Sequence, residues 1–288
     1  PVSMLNELRR QLYSRISFAD KRGSLPEIGN SRSSKQLQWV IKTDDLSCLS
    51  KIDMDEVAEI IWLLNSNSNA EDAKRLPKNK LRPALPAVCR HPDKFMPLIK
   101  SLTEQGYNKW EIGNYWGLSA LPEKGIDLSF DSSLYTMNTQ AIEQAKAIGV
   151  SKVSFALEDD LKNLKTLSET SPLPLTMVVY QDVPLFTSAD CIRSNSCKDC
   201  TRGEKWISLE RNGIRYQALS KDCQIMLFTD KPFCVAKEAK DIVADFYRVD
   251  FCYKKYTSEK ASRIFAAVKN FEDVADCHKA NLIRPNLL

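Results

Sequence analysis

Short apolar runs alternate with amphipathic segments from Gln36 to the end of the chain. Eight of these runs have the length and the β-branched or aromatic content of strands. Between and after them, apolar residues recur every three or four positions, which is typical of helices packed on one face. The predicted strands are Gln38–Lys42, Glu59–Leu64, Leu81–Val88, Lys109–Asn114, Asp127–Phe130, Lys152–Leu157, Leu175–Tyr180 and Phe246–Phe251. The predicted helices are Asp93–Gln105, Thr136–Ile148, Asp159–Glu169 and Ser258–Phe271.

The alternation itself predicts the fold class, which is α/β. Strands separated by helices pair in parallel, with the helices on the outside. Eight such units predict a closed (βα)8 TIM-like barrel. The pattern is interrupted after the seventh predicted strand by a cysteine-rich insertion over residues 187–235, which contains two β-like runs, Trp206–Leu209 and Gln224–Phe228. Such an insertion would leave the barrel at the face where barrel enzymes carry their active sites.

The first 35 residues have a different pattern from the barrel segment. An amphipathic helix is expected up to about residue 22 because its apolar positions have helical spacing. The positions that share one helical face are Leu5, Leu8, Leu12 and Ile16. Gly23–Lys35 is rich in Gly, Pro, Ser and Asn and is typical of a linker. We therefore predict an N-terminal helix and linker over 1–35 and a barrel domain over 36–288.

The start of the chain bears on its partners. It begins with Pro1 rather than with methionine, and its first segment is a charged helix. This is consistent with a piece of a longer polypeptide. The remainder of that polypeptide, or a partner subunit, is then an expected partner.

Composition is that of an ordinary globular protein, with 43% hydrophobic and 27% charged residues. The net charge of +4 is too small to indicate nucleic-acid binding by itself, so any basic surface must be local. Two local basic stretches occur, and a solvated face is the simplest interpretation of each. They are Arg9, Arg10, Arg15, Lys21 and Arg22, and then Lys74, Arg75, Lys78, Lys80 and Arg82. No apolar run has the roughly 18 residues of a membrane span, and the N-terminus lacks a secretory core, so we expect a cytoplasmic protein.

The nine cysteines are an odd number in a chain without an export signal, which argues against a disulfide framework. Four lie among apolar neighbours and are typical of buried cysteine: Cys48, Cys89, Cys234 and Cys252. Three others are clustered as Cys191-x5-Cys197-x2-Cys200, and Cys223 follows at a distance. This arrangement predicts one metal site. Spacing alone leaves an iron–sulfur cluster and a structural zinc ion equally open, and Cys234 is the alternative to Cys223 as the remote ligand.

Hydrolytic machinery is not evident in the sequence. His91 and His278 are the two histidines, and neither lies in a His-Glu-x-x-His or Gly-x-Ser-x-Gly setting. Polar residues at the ends of the predicted strands would converge at a barrel mouth, although each alone is also explained as a helix cap or loop residue. Among them we expect catalytic groups at Asp131, Glu158, Tyr180 and Asp250. We expect substrate contacts at Arg90, Asn114, Tyr115 and Arg248.

Several ordered stretches carry a resemblance to a known family. They are Ser3–Arg10, Asp131–Asn138, Gly149–Glu158, Met177–Tyr180, the cysteine cluster, Glu210–Gly213, Phe228–Pro232 and Arg248–Phe251. Together they resemble the peptidase U32 family of collagenase-like proteins, in particular the second barrel-type domain of its long members. The resemblance covers most of the chain from Gln36 to about Phe251, and the cysteine spacing is its most specific part. The chain departs from the family at Tyr180-Gln181-Asp182, where Tyr-Gly-Arg is common, and at Phe186, where Met is common.

The resemblance implies an oxygen-sensitive four-iron, four-sulfur cluster held by Cys191, Cys197, Cys200 and Cys223, with zinc as the alternative. It also implies oxygen-independent hydroxylation, which family members perform on transfer RNA, ribosomal RNA or a quinone precursor. The long members with a similar linker look most like those that hydroxylate a cytidine in ribosomal RNA.

RNA is accordingly the expected substrate. We expect Arg90, Arg193 and Arg202 to contact phosphates, and Tyr115 or Trp116 to stack on an exposed base. Two alternatives remain open. One is a collagenase-like peptidase, which the family name alone suggests, and the other is a non-catalytic, metal-stabilised domain that binds RNA or protein.

Overall fold

The structure of the protein, a computed structural model, describes residues 37–188, 203–280 and 282. Several predictions lie outside the described residues and stay predictions. They concern the N-terminal helix with its basic stretch, the linker, the domain boundary at residue 35, the clustered cysteines Cys191, Cys197 and Cys200, and the phosphate contacts Arg193 and Arg202.

Eight parallel strands close into a barrel within the described part of the chain. The strands of the chain are β1 Gln38–Thr43, β2 Val57–Leu63, β3 Leu81–Leu85, β4 Lys109–Ile112, β5 Asp127–Phe130, β6 Val150–Ser154, β7 Leu175–Gln181, β8 Pro184–Ser188, β9 Lys205–Arg211, β10 Ile214–Lys221, β11 Gln224–Thr229, β12 Phe233–Cys234 and β13 Phe246–Phe251. Strands β1 to β7 pair in chain order, β13 pairs with β7, and β1 pairs with β13 to complete the ring. This pairing confirms the predicted TIM-like α/β barrel, and all eight predicted barrel strands are present.

Helices cover the outside of the barrel. They are α1 Met96–Glu104, α2 Trp116–Ala120, α3 Thr139–Ala147, α4 Leu161–Thr170, α5 Ala236–Ala239 and α6 Ser258–Lys269. Short 3-10 helices replace α-helices in the first two connections, at Leu46–Leu49, Met54–Glu56 and Asp72–Arg75. None of the described helices is long and apolar enough to cross a membrane.

Side-chain caps determine where three of the predicted helices begin. Asn138, Asp160 and Thr257 are extended residues whose side chains accept a hydrogen bond from a backbone N–H in the first turn of α3, α4 and α6. Each such cap stabilises its helix by about 1 kcal/mol. Two of these helices therefore start a few residues after the predicted positions.

The strands alternate between two environments. Trp39 and Ile41 of β1 point outward into a continuous apolar core that the helices cover. Val40 points inward, where a much smaller apolar cluster forms. The barrel interior is otherwise occupied by buried charged side chains, which are Lys42, Glu59, Arg82, Glu111, Lys152, Arg248 and Asp250. Charged interiors of this kind are unusual, because bulky aliphatic residues normally fill such a barrel.

The insertion after β7 forms an antiparallel sheet in the order β8-β11-β10-β9. Two β-like runs were predicted in the insertion, and the sheet described there has four strands, of which β8 and β10 were not predicted. The sheet packs on the barrel through Phe228, whose ring centroid lies 5.6 Å from that of Tyr253. Lys254 Nζ also donates a hydrogen bond to the carbonyl of Thr229 at 3.3 Å. The inserted sheet is thus attached to the loop that follows β13.

Candidate functional site

A cleft with a volume of 1800 Å³ opens at the carboxyl ends of the barrel strands, between the barrel and the inserted sheet. Six of its lining residues come from the loops or ends of six different barrel strands: Asp44, Asn65, Arg90, Asp131, Glu158 and Gln181. The inserted sheet contributes Lys221, Cys223 and Met226 to the same cleft. This is the face of the barrel where ligands bind in enzymes of this architecture.

An ion-paired cluster lies on the cleft floor around Asp131. Its Oδ2 lies 2.7 Å from Lys42 Nζ, and its Oδ1 lies 2.8 Å from Arg248 Nη2. Lys42 Nζ also lies 2.7 Å from Glu111 Oε1, and Arg248 Nε lies 2.8 Å from Asp250 Oδ1. Asp131 is the member of this cluster that lines the cleft. The cluster therefore offers a fixed carboxylate to a bound molecule, with two cations directly behind it.

The two predicted carboxylates of this cluster differ in their proton affinity. Burial alone would raise the pKa of Asp131, but Lys42 and Arg248 outweigh burial and hold this pKa well below its usual range. Burial raises the pKa of Asp250 to about 6, although Arg248 contacts both of its oxygens, because Asp131 and Glu111 are also near. Asp131 is thus a permanent anion near neutral pH, while Asp250 titrates close to the range used by general acids and bases.

Asp44 is a candidate that the sequence interpretation missed. It directly follows β1, lines the cleft, and accepts a hydrogen bond from the backbone N–H of Tyr253 at 3.3 Å. Its Oδ2 also lies 3.8 Å from Lys221 Nζ of the inserted sheet. Burial raises its pKa despite the nearby lysine. Its position just after the first predicted strand, where polar residues meet at a barrel mouth, is the sequence signal that could have identified it.

Lys42 and Glu111 were also missed. Lys42 is the last residue of the first predicted strand, and Glu111 lies between Trp110 and Ile112 in the fourth. A charge at an inward position of a barrel strand has to be paired, because an isolated buried charge is too costly. That reasoning could have placed both residues with Asp131 and Arg248.

Cys223 lies in a hairpin turn over the mouth of the barrel. The turn Asp222-Cys223 joins β10 to β11, and both residues have positive φ, 53° and 60°. The preceding hairpin, between β9 and β10, has the same two-residue form with Asn212-Gly213 at 54° and 73°. Asn-Gly is the pair that such turns favour, and a cysteine in the left-handed conformation costs roughly 1–2 kcal/mol. The thiol is therefore present where the backbone alone favours glycine.

The hairpin is held over the barrel by direct contacts. Arg90 Nη1 donates a hydrogen bond to the carbonyl of Cys223 at 3.4 Å. Gln224 Nε2 donates to the carbonyl of Val88 at 3.0 Å. Both partners belong to the loop after β3, so Cys223 is positioned by the loop that follows that strand. Arg90, predicted to bind substrate, lines the cleft and also contributes to this attachment.

Strand register locates the ends of the cysteine segment. Cys191, Cys197 and Cys200 lie outside the described residues, between β8 and β9. Ser188, the last residue of β8, pairs with Ile225, and Lys205, the first residue of β9, pairs with Ser220. Along the chain, Ile225 is two residues from Cys223 and Ser220 is three residues from it. The segment that carries the three clustered cysteines therefore begins and ends beside the Cys223 turn.

Of the other predicted residues, Glu158 lines the cleft, whereas Asn114, Tyr115, Tyr180, Arg248 and Asp250 do not. Glu158 lines it and accepts a hydrogen bond from the Tyr135 hydroxyl at 3.1 Å. Asn114 and Tyr115 are exposed but are not among its lining residues. Tyr180 is 2% exposed and points away from the cleft, where its hydroxyl lies 3.1 Å from that of Tyr256.

The second basic stretch does not form a free cationic face. Lys74 and Arg75 pair with acidic residues three positions away. Lys78 and Lys80 donate hydrogen bonds to backbone carbonyls. Arg82 is buried inside the barrel and pairs with Glu59 and Asp127. The prediction of a solvated face was therefore wrong for Arg82, because its position is on the inward face of β3.

Comparison with known proteins adds little to this geometry. No protein-family profile matches the chain, and no curated protein matches it. Among solved structures, one described as a U32 peptidase aligns with 55% of this chain and 74% of its own, at 12% identity and a TM-score of 0.40. We infer nothing about the function of this chain from a similarity with that TM-score. The barrel assignment rests on the strand pairing described above.

Proposed function

We propose that this chain is an iron–sulfur enzyme of the U32 type that hydroxylates a base of RNA without molecular oxygen, with the oxygen atom taken from an oxygen-donor co-substrate that is reduced in the reaction. The observation that carries the proposal is the position of Cys223. Cys223 lines a large cleft at the carboxyl ends of the barrel strands, in a turn that favours glycine, beside both ends of the segment with the three clustered cysteines.

Cys191, Cys197, Cys200 and Cys223 are the residues that would hold the cluster. The donor set fits, because four thiolates are the usual ligands of a four-iron, four-sulfur cluster. The same set would also suit a structural zinc ion. A bound cluster supplies one-electron transfer.

The groups on the cleft floor would orient the substrate and move protons. Asp131 is an anion with two cations behind it, so it can accept hydrogen bonds from a base edge without taking up a proton. Asp44 and Asp250 have raised pKa values and are suited to proton transfer. Asp44 is the better placed of the two, because it lines the cleft.

The character of the cleft supports recognition of one exposed base. Two exposed aromatic side chains, Tyr135 and Phe186, line it and offer surfaces on which a base can stack. Its charges are balanced, with Arg90, Lys94, Arg215, Lys221, Lys231 and Lys279 against Asp44, Asp131, Glu158, Glu204, Asp222 and Asp230. Contacts to a long phosphate backbone would need an excess of cations. A balanced lining therefore favours binding of a single base.

The two alternative functions have less support. A serine or cysteine peptidase needs an activated side-chain nucleophile, and in the described part of the chain neither His91 nor His278 is hydrogen-bonded to a hydroxyl or thiol side chain. A non-catalytic domain gives no role to Asp44, which lines the cleft and has a raised pKa. We therefore keep both as outcomes of the experiment.

The test is nucleoside mass spectrometry on ribosomal and transfer RNA from cells that lack this protein and are complemented with variants. Wild-type protein should restore a nucleoside that is heavier by one oxygen atom. Cys197→Ser and Asp44→Asn should fail to restore it. Arg75→Met, which alters an exposed ion pair far from the cleft, is the control and should restore it fully.

Two results would contradict the proposal. One is an RNA nucleoside profile that does not change when the protein is removed. The other is cleavage of gelatin by cluster-loaded protein that depends on Asp44, which would favour the peptidase alternative.

A further inference from the structure

A second group of metal-ligating side chains is formed by residues other than the four cysteines discussed above. The sulfurs of Cys234 and Cys277 and a carboxylate oxygen of Asp273 all lie within 4.8 Å of one another. Cys234 Sγ is 3.8 Å from Asp273 Oδ1, and Cys277 Sγ is 3.7 Å from the carbonyl of Cys234. Among the described residues, this is the one group of three Cys, His, Asp or Glu side chains that meets this distance limit.

The backbone brings these residues together from distant parts of the chain. A parallel bridge pairs Phe233 of β12 with His278, and the backbone N–H of Cys234 donates to the carbonyl of His278 at 3.0 Å. The Phe233 and His278 rings lie on one face of this pairing, with centroids 6.0 Å apart. Because side chains alternate along extended backbone, Cys234 and Cys277 lie together on the opposite face.

The carboxylate of Asp273 is held in place by surrounding groups. Its Oδ1 accepts a hydrogen bond from the backbone N–H of Lys237 at 3.2 Å. Its Oδ2 lies 2.7 Å from Lys279 Nζ, which also lies 2.7 Å from Glu238 Oε2. Such outer contacts orient the carboxylate ligand in known metal sites.

The surrounding charges fit a bound dication. Two thiolates and one carboxylate carry three negative charges, and a divalent ion leaves one of them uncompensated. Lys237 and Lys279 lie beside Asp273 and offset that remaining charge. Lys279 is also paired with Glu238. The donor set also selects the type of metal, because thiolates favour zinc and disfavour magnesium and calcium.

We propose that Cys234, Asp273 and Cys277 bind a zinc ion that fastens residues 273–279 to β12. Three protein ligands leave the fourth position of a tetrahedral zinc ion to water or to another donor. The segment that the ion fastens includes Cys277, His278 and Lys279, which line the cleft. The site would therefore fix one wall of the cleft without taking part in its chemistry. It is independent of the cluster in the proposed function and could exist without it.

The test is zinc analysis and zinc K-edge X-ray absorption on the full chain purified without oxygen and supplied with Zn²⁺. This edge reports zinc alone, so iron elsewhere in the chain does not interfere. We expect one zinc per chain, with two sulfurs at about 2.3 Å and lighter donors at about 2.0–2.2 Å.

The sulfur count separates this site from a zinc ion in the four-cysteine site. One zinc with four sulfurs would overturn the proposal, as would the absence of bound zinc in reduced protein. Two zinc ions per chain, one with two sulfurs and one with four, would give an average of three sulfurs. That result would support this zinc site and would contradict the iron–sulfur cluster. Iron and sulfide measured in the same sample report on that cluster separately.

Variants make the assignment specific. Cys277→Ser changes a half-buried residue and should lower zinc affinity by more than about 100-fold, which exceeds the usual effect of changing an outer contact. Asp273→Asn keeps the shape of the side chain and should lower the affinity by more than about 10-fold. Cys48→Ser, at a buried thiol outside the group, is the control and should leave zinc binding unchanged. Equal zinc affinity in Cys277→Ser and wild type would overturn the proposal, with circular dichroism establishing that both are folded.

Discussion

Asp131 is half-buried and Asp250 is buried. Both carboxylates contact the same guanidinium group, that of Arg248, and their pKa values shift in opposite directions. Asp131 has a second cation, because Lys42 lies 2.7 Å away. Asp250 has one direct cationic partner and is surrounded by other carboxylates, so burial dominates. Two contacting cations thus keep Asp131 ionised as an anchoring carboxylate, whereas Asp250, with one, can exchange protons.

Asp250 should make the stability of the protein depend on pH. Its pKa is raised from 3.8 to about 6 in the folded state, so the folded protein binds the proton more tightly than the unfolded chain does. The resulting stabilisation is fully present below about pH 4 and is lost as the pH rises through 6. Its size is about 3 kcal/mol at most.

The measurement is urea unfolding of wild type and Asp250→Asn between pH 4 and 8. The free energy of unfolding of the wild type should fall relative to that of Asp250→Asn across this range, because the amide does not titrate. A constant difference between the two proteins would show that the Asp250 carboxyl has an ordinary pKa.

At the scale of elements, the barrel strands could be predicted and half of the inserted sheet could not. Barrel strands are buried on both faces, so they stand out as apolar runs. Strands β8 and β10 belong to a sheet that is largely half-exposed, and their apolar content is lower. Asn212-Gly213 is a strong hairpin signal and could have located β10. The Asp222-Cys223 turn gives no such signal, because cysteine is uncommon there.

The two hairpin turns of the inserted sheet make a matched pair of experiments. In metal-free protein, Cys223→Gly should raise the free energy of unfolding by about 1 kcal/mol, since glycine adopts positive φ without strain. Gly213→Ala should lower it by a similar amount, because an added methyl group there meets no atom within 4 Å and the effect is purely conformational. Urea titration measures both. Destabilisation by Cys223→Gly would mean that the thiol contributes to packing rather than being placed for a ligand.

At the scale of the whole molecule, the charged barrel interior positions the floor of the cleft. Sequence patterns placed Asp131, Arg248 and Asp250 at strand ends and so near the barrel mouth. Tyr180 points outward because the register of β7 shifts where it pairs with β13, and sequence patterns did not indicate that shift. Nor could they locate Cys234 beside Cys277, which depends on a single bridge between distant segments.

Arg248 should be essential to the stability of the barrel. It is 1% exposed and contacts Glu111, Asp131 and Asp250. Arg248→Met would leave these carboxylates with too few cations, and breaking a buried ionic network in this way costs about 3–5 kcal/mol. The matched control is Arg75→Met, which removes an exposed pair with Asp72 and should cost less than about 1 kcal/mol. Thermal or urea unfolding of both variants measures the difference. Similar small losses in the two would refute a structural role for the network.

We propose that Cys223 and the three clustered cysteines hold an iron–sulfur cluster at the mouth of the cleft. The most direct test is iron, sulfide and zinc analysis, together with optical and electron paramagnetic resonance spectra, on wild type and Cys223→Ser purified without oxygen. We expect about four iron and four sulfide per wild-type chain, with loss of most of both in Cys223→Ser and retention in Cys48→Ser. Zinc with four sulfur ligands and no iron, or full iron content in Cys223→Ser, would contradict the claim.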